Sequence, residues 1–202
     1  RIVWCDVETT GLDPAGGHLL EVAMVVTEEE LTVVDSIDVV IHADNDALAV
    51  MDDYVRRMHT DNGLLDEVRV SDLDLRAAEL ALHDFLSRTV PSFDRERRFG
   101  APLAGNNIKF DRSWLAEHLP RVVERLHYRD ICVSSMAEIM RRFFPDLWLD
   151  APRKRRAHRA MDDIHESIKE MRHYLDGLGT DLPPVVVDST TGRIQPGTVP
   201  QF

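Results

Sequence analysis

The chain has 202 residues, 44% hydrophobic and 30% charged, a mix that fits a soluble domain large enough to bury a core without metal or disulfide support. Its 24 basic and 36 acidic side chains leave a net charge of −12. That balance excludes a protein that grips long nucleic acid through a basic footprint, because such affinity comes from Lys and Arg displacing counterions. Two cysteines, Cys5 and Cys132, exclude a disulfide scaffold and a multi-cysteine zinc centre, and suit the reduced thiols of a cytoplasmic protein. No apolar run reaches the roughly 18 residues a membrane helix needs, so no membrane association is expected.

Ile2-Val3-Trp4-Cys5 is a short apolar run that predicts a buried strand. It leads into Asp6-Val7-Glu8-Thr9-Thr10-Gly11, where Gly11 and the following Asp13-Pro14 mark a turn. Residues 19–27 and 31–41 predict two more strands, with Glu28-Glu29-Glu30 as a solvated turn between them, so the chain opens as an antiparallel meander. Residues 74–90 carry Leu75, Ala78, Leu82, Phe85 and Leu86 at helical spacing. Residues 102–106 predict a short strand, and Phe110, Trp114 and Leu115 a helix after it. Residues 128–133 predict a last strand, with Ser134 capping a helix that runs to Phe143. Residues 149–156 predict a loop bearing the basic run Arg153-Lys154-Arg155-Arg156, and residues 157–175 a final helix stopped by Gly177. A meander followed by alternating helix and strand predicts an α/β domain with a mixed sheet flanked by helices. From Gly177 onward lie four of the ten prolines and four of the ten glycines. The expected division is therefore a domain over residues 1–176 and an extended tail over 177–202, with Val185-Val186-Val187 able to add a strand.

Three pieces carry chemistry. Asp6 and Glu8 stand two apart at a strand end, so both carboxylates face one side of the sheet and repel unless a cation lies between them. Taken alone, such a pair is more often two solvated loop acids. His158-Arg159-Ala160-Met161-Asp162-Asp163 opens the last helix. Five residues turn a regular helix by about 140°, so His158 and Asp163 converge only if His158 sits in the first turn or the loop before it. Asp163 borders the apolar stripe of Ala160, Ile164, Ile168 and Met171 and needs a partner or a metal there, whereas Asp162 fits an ordinary first-turn acid. The third piece, Gly105-Asn106-Asn107-Ile108-Lys109-Phe110-Asp111, places Asp111 at a helix start after a strand. In order, Asp6, Glu8, Asp111, His158 and Asp163 offer four hard oxygen ligands and a base. That set suits two divalent cations, which stabilise the attacking and leaving oxygens of a phosphodiester displacement, with a histidine to take the proton of the attacking water.

On the segments DVETTGLDP, GNNIKFD and HRAMDDIHES, the chain resembles the exonuclease superfamily with Asp-Glu-Asp-Asp ligands and a histidine base. AVMDDYVRRMHTDNGLL, APLAGNN, LHYRDICVSS and AHRAMDDIHESI resemble, within that superfamily, the oligoribonucleases. The resemblance covers about residues 2–175. It implies a ribonuclease-H-like fold, a homodimer, and 3′-to-5′ removal of nucleotides from short RNA, dinucleotides above all, with two Mg²⁺ or Mn²⁺ ions per site and no use of long duplexes. By position, it implies Asp6, Glu8, Asp111 and Asp163 as metal ligands and His158 as base. It implies Leu12 as a wedge between bases, Tyr54 and His59 in the base pocket, and Arg129, Ser134 and Ser135 around the 5′ phosphate. Tyr128 would approach the partner subunit's site. Asn107 stands where a phosphate-binding serine is usual in the family, Tyr54 where tryptophan is usual and Cys132 where aspartate is usual. The basic run before His158 is either a solvated loop or a screen for RNA phosphates.

Three rival readings differ in what they require. A DNA-directed or proofreading 3′-to-5′ exonuclease would prefer long single-stranded DNA to RNA dinucleotides. A catalytically silent interaction module would have lost a ligand, and all five positions are intact. A zinc hydrolase would show HExxH or a comparable histidine spacing, which is absent.

Overall fold

A computed structural model describes residues 1–155, 158–179, 188 and 190–194. Five strands form one mixed sheet in the order β3-β2-β1-β4-β5. β1 (Ile2–Thr9), β2 (Leu19–Thr27) and β3 (Val33–Val40) make the antiparallel meander; β4 (Leu103–Gly105) and β5 (Asp130–Cys132) add in parallel on the other edge of β1. β1 is therefore central, antiparallel to one neighbour and parallel to the other. β2 is buried along its whole length, as its nearly unbroken apolar run requires for a strand covered on both faces.

Strand alternation sorts the core into two layers. Val3, Cys5 and Val7 of β1 join Val22, Met24 and Val26 of β2 on one face. That face packs under α4 (Leu75–Thr89), α5 (Lys109–His118) and α6 (Pro120–Glu124), with Leu82, Phe85, Trp114, Leu115 and Val122. Trp4, Ala23 and Val25 point the other way, against Ala160, Ile164 and Ile168 of α9 (Ala160–Gly177). The Trp4 indole N–H donates to Thr27 Oγ1 at 3.1 Å, so its polar atom is satisfied inside this layer. α7 (Val133–Phe143) and α8 (Pro145–Leu149) pack beside α9.

Several boundaries differ from the sequence expectations. The first strand runs on through Asp6 and Glu8 to Thr9. The third begins at Val33, because Leu31 takes a left-handed turn conformation (φ 65°) that drops its side chain into the lower core. Ser134 is not the cap of α7; Cys132 is, and the Ser134 hydroxyl bonds the loop after β4 instead. The last helix starts at Ala160 rather than 157, since His158 is left-handed and Arg159 extended. Leu149 belongs to α8, not to the loop after it. α1 (Asn45–Leu48), α2 (Asp53–Asp61) and α3 (Leu64–Val70) have no counterpart in the sequence reading. They are short and mostly polar, and they bury a small separate cluster with Leu20, Leu48, Leu64, Leu65 and Val68. Each of α1 and α2 is started by an aspartate, Asp44 and Asp52, whose carboxylate accepts a first-turn N–H.

The described part of the C-terminal segment returns to the domain. Ile194 is buried in the lower core, its N–H donates to His165 Nδ1 at 3.2 Å, and Arg193 pairs with Asp162 at 3.0 Å. Val185-Val186-Val187 and Arg156 lie outside the described residues. Among the described residues no helix is long and apolar enough to cross a membrane.

Candidate active site

The lower face of β1 changes character along its length. Trp4 is fully buried in apolar packing; Asp6 and Glu8, two and four residues on, continue the same face beyond the apolar part of α9. Asp163, in the first turn of α9, meets them there. One oxygen each from Asp6, Glu8 and Asp163 lies within 4.8 Å of the others, a spacing at which a cation can bind all three.

Asp111 does not join that trio; it is tied to β1 from the other side. β4 ends at Gly105, so the β1 backbone beyond Trp4 loses its ladder partner on that edge. The Val7 N–H donates instead to Asp111 Oδ1 at 3.0 Å. The strand end comes very close to β1: a Cβ on Gly105 would lie 2.7 Å from the Cys5 carbonyl oxygen, so only glycine fits. The chain then turns through Asn107 (φ 49°), a residue type that tolerates the left-handed region, into α5 and Asp111.

Burial and crowding of like charges push these carboxyls up. Glu8 is raised to about 9, by desolvation first and then by Glu21 and Asp163. Asp163 is raised to about 6 by desolvation and Glu166. Asp6 and Asp111 are also raised, burial being the main cause for both, with Asp111 and Glu8 next for Asp6. A donor set of buried oxygens that resist ionisation without a counter-charge fits a hard divalent cation.

His158 lies just before α9 with φ 52°. Its carbonyl accepts from Asn62 Nδ2. The next residue, Arg159, forks between Glu21 and Glu67, with guanidinium-to-oxygen distances of 2.8 to 3.3 Å. Glu21 is fully buried, pairs with Glu8 across β1 and β2, and also accepts the Ala160 N–H at 3.2 Å. Sequence reasoning missed Glu21, although a lone acid inside the run LLEVAMVVT was a usable signal, since a buried charge demands a partner. Nothing local marked Asn62 or Glu67.

The residues expected to meet substrate differ in exposure and in partners. Leu12, in the turn after β1, is 85% exposed, and Tyr54, at the start of α2, is 71% exposed. His59, on the same helix, is fully buried; its Nε2 is 3.0 Å from the Thr9 carbonyl, and its Nδ1, with no hydrogen-bond partner among the described residues, lies 3.9 Å from Glu8 Oε2. A carbonyl accepts only, so Nε2 carries the proton, and burial lowers the pKa of the ring. Arg129 stacks over Tyr128, 5.5 Å from the ring centroid, and Tyr128 stacks on His127. Ser135 and Asn107 are exposed. The Ser134 hydroxyl donates to Asn106 Oδ1 and accepts from the Asn107 N–H, so it is partly committed to joining β4 to α7. In the basic run, Lys154 pairs with Glu170 at 2.8 Å and the Arg155 N–H bonds Glu166, so the Lys154 charge is turned onto α9.

A family model described as "Exonuclease" matches residues 3–171. An oligoribonuclease of Mycobacterium bovis (strain BCG / Pasteur 1173P2) is 44% identical over 175 residues, covering 86% of this chain and 79% of that protein. An oligoribonuclease of Rhodococcus jostii (strain RHA1) is 45% identical over 175 residues, covering 86% and 85%. Among solved structures, a moderately thermophilic exonuclease I from Methylocaldum szegediense superposes with a TM-score of 0.66 at 19% identity, over 87% of this chain and 40% of that one. A zinc-bound E. coli ExoI–ssDNA complex gives 0.64 at 16%, over 90% and 41%. At that identity the likeness is one of fold: a mixed sheet flanked by helices, the ribonuclease-H-like arrangement. The chain spans about two fifths of the length of those two structures.

Proposed function

This chain belongs to the exonuclease family and, within it, to the oligoribonucleases, 3′-to-5′ exoribonucleases, and from that premise we propose that it hydrolyses RNA only a few nucleotides long, dinucleotides above all, with two Mg²⁺ or Mn²⁺ ions. The observation that carries the reading is the approach of the Asp6, Glu8 and Asp163 oxygens to within 4.8 Å at the end of β1.

In this reading Asp6, Glu8, Asp111 and Asp163 hold the metal, which when bound supplies positive charge to the attacking and leaving oxygens of the scissile phosphate. His158 takes the proton of the attacking water. Leu12, in the turn after β1, and Tyr54, on α2, are large side chains left in solvent; they receive the bases by wedging and stacking, with His59 lining the pocket beneath. Arg129, the Ser135 hydroxyl and the exposed Asn107 amide donate to the 5′ phosphate, and Ser134 joins them by turning its O–H from Asn106 to the anion. On an acidic protein such a local anion site favours a short substrate whose end lies there over a long one held along its backbone.

We also infer a homodimer and a cytoplasmic setting. What supports the dimer is an exposed apolar face on α7 and α8, with Ile139, Phe143, Phe144, Trp148 and Leu149 between 38% and 73% exposed. A second copy would cover it and bring Tyr128, 51% exposed, towards its partner's site. We infer that residues 1–176 carry the exonuclease chemistry, with the later segment contributing through its described residues Arg193 and Ile194, which pack on α9.

The test is digestion of 5′-phosphorylated RNAs from two to about ten nucleotides with Mg²⁺ or Mn²⁺, for the native chain and Asp163→Asn. We expect the dimer to be cut fastest, and the Asn variant to lose activity with an unchanged circular dichroism spectrum. Faster cutting of long single-stranded DNA than of RNA dimers, or near-native turnover by the variant, would overturn the reading.

A further inference from the structure

His158 sits in a conformation it would not choose. Its φ of 52° lies in the left-handed region, which is unfavourable for any residue with a Cβ. Among the described residues none hydrogen-bonds its imidazole, so the grips that fix its place act on the backbone from which the ring springs. That backbone is held twice on its C-terminal side. The Asn62 amide donates to the His158 carbonyl. One residue on, Arg159 is gripped by Glu21 from β2 and Glu67 from α3, with 2.8 Å contacts to both Glu67 oxygens. Glu21 also accepts the Ala160 N–H, capping α9 from a different strand where Arg159 supplies no side-chain cap of its own.

Asn62 is the C-cap of α2, the helix that carries Tyr54 and His59, and its other amide atom accepts the Leu64 N–H that opens α3. The α2–α3 junction is thus fastened to the His158 turn through one side chain.

We propose that Asn62 and Arg159 are positioning residues for His158, the first linking its placement to the substrate-facing helix α2 and the second anchoring the turn to the sheet. The inference rests on His158 being the base. Without the two grips the turn relaxes to an extended conformation and redirects the His158 side chain, while the Asp6, Glu8 and Asp163 carboxylates stay where β1 and α9 put them.

The test is a double-mutant cycle on the full chain, with a 5′-phosphorylated RNA dinucleotide and Mn²⁺. Asn62→Asp keeps the oxygen that caps Leu64 and loses the N–H that holds His158; Arg159→Lys keeps the charge and loses the fork. Each should lower kcat roughly tenfold, the scale set by holding one residue in the left-handed region. KM should stay within about twofold, as expected when ground-state binding is untouched. In a His158→Ala background neither change should lower the rate further. A full additional loss in that background, a loss carried by KM, or no loss in the native background would overturn the proposal. Native kcat in His158→Ala alone would remove the base itself and the proposal with it; a crippled His158→Ala on which Asn62→Asp acts in full would remove only the positioning role.

Discussion

Replacing Glu8 by glutamine should make the metal-free protein more stable while ending its activity. Glu8 is 7% exposed and its carboxyl is raised from 4.5 to about 9, by burial and by Glu21 across the strand pair. The folded chain therefore keeps a proton that the unfolded chain releases above pH 4.5, and stability falls as pH climbs from there towards 9. At pH 8 the gap is about 3.5 units at about 1.4 kcal/mol each, or at most about 5 kcal/mol for this one group. Water at the open end of β1 and movement of neighbouring acids offset part of that, leaving about 2 kcal/mol that a neutral glutamine would recover. For a chain of this size the gain is about 4–8 °C in Tm. Calorimetry in EDTA should show Glu8→Gln melting higher than the native chain at pH 8 and nearly level with it at pH 5. With saturating Mg²⁺ the order should reverse, because only the native carboxylate draws binding energy from the ion. A variant that melts lower than the native chain at pH 8 in EDTA, or a difference that does not change between pH 5 and pH 8, would refute the argument.

Arg129→Ala should slow cleavage of 5′-phosphorylated RNA dimers more than of heptamers, because in the proposed binding mode only the dimer places its end against Arg129; equal fractional losses in single-turnover assays would rule that pocket out. If α7 and α8 carry the proposed homodimer contact, Phe143→Glu, on the 71% exposed end of that apolar face, should shift the chain from dimer to monomer in analytical ultracentrifugation and lower activity; an unchanged mass would refute that contact.

The site was legible wherever its logic is local. The i, i+2 spacing of Asp6 and Glu8 follows from strand alternation, and the placement of Asp163 beside Ile164 from the helix period, so both could be read before any contact was known. The need for His158 to lie off the regular helix was also readable, since about 140° of helix rotation keeps it from facing Asp163. The means by which it does so was not. Asn62, Glu67 and Glu21 act across 96, 92 and 138 residues of chain, and no spacing rule spans that distance. Asp111 was readable as a carboxylate at a helix start; its hold on the Val7 N–H was not, because that depends on β4 stopping at Gly105. In the fold, the long apolar strands and the amphipathic helix over residues 74–90 were plain. α1 to α3 were hidden because they are brief: α1 buries only Leu48, in α2 the one buried residue is a histidine, and the buried Leu64, Leu65 and Val68 of α3 span too few turns to show a helical period.

The return of residues 190–194 to α9 bears on how the protein may be trimmed or tagged. Composition suggests cutting at Gly177, where prolines and glycines gather. A chain ended there would lose Ile194 from the lower core and the N–H that satisfies His165 Nδ1, baring an apolar and a polar gap together on the helix that carries Asp163. A carrier joined at that point would sit against the same opening. The shortest fragment that keeps the floor beneath the helix bearing Asp163 therefore reaches at least to Ile194.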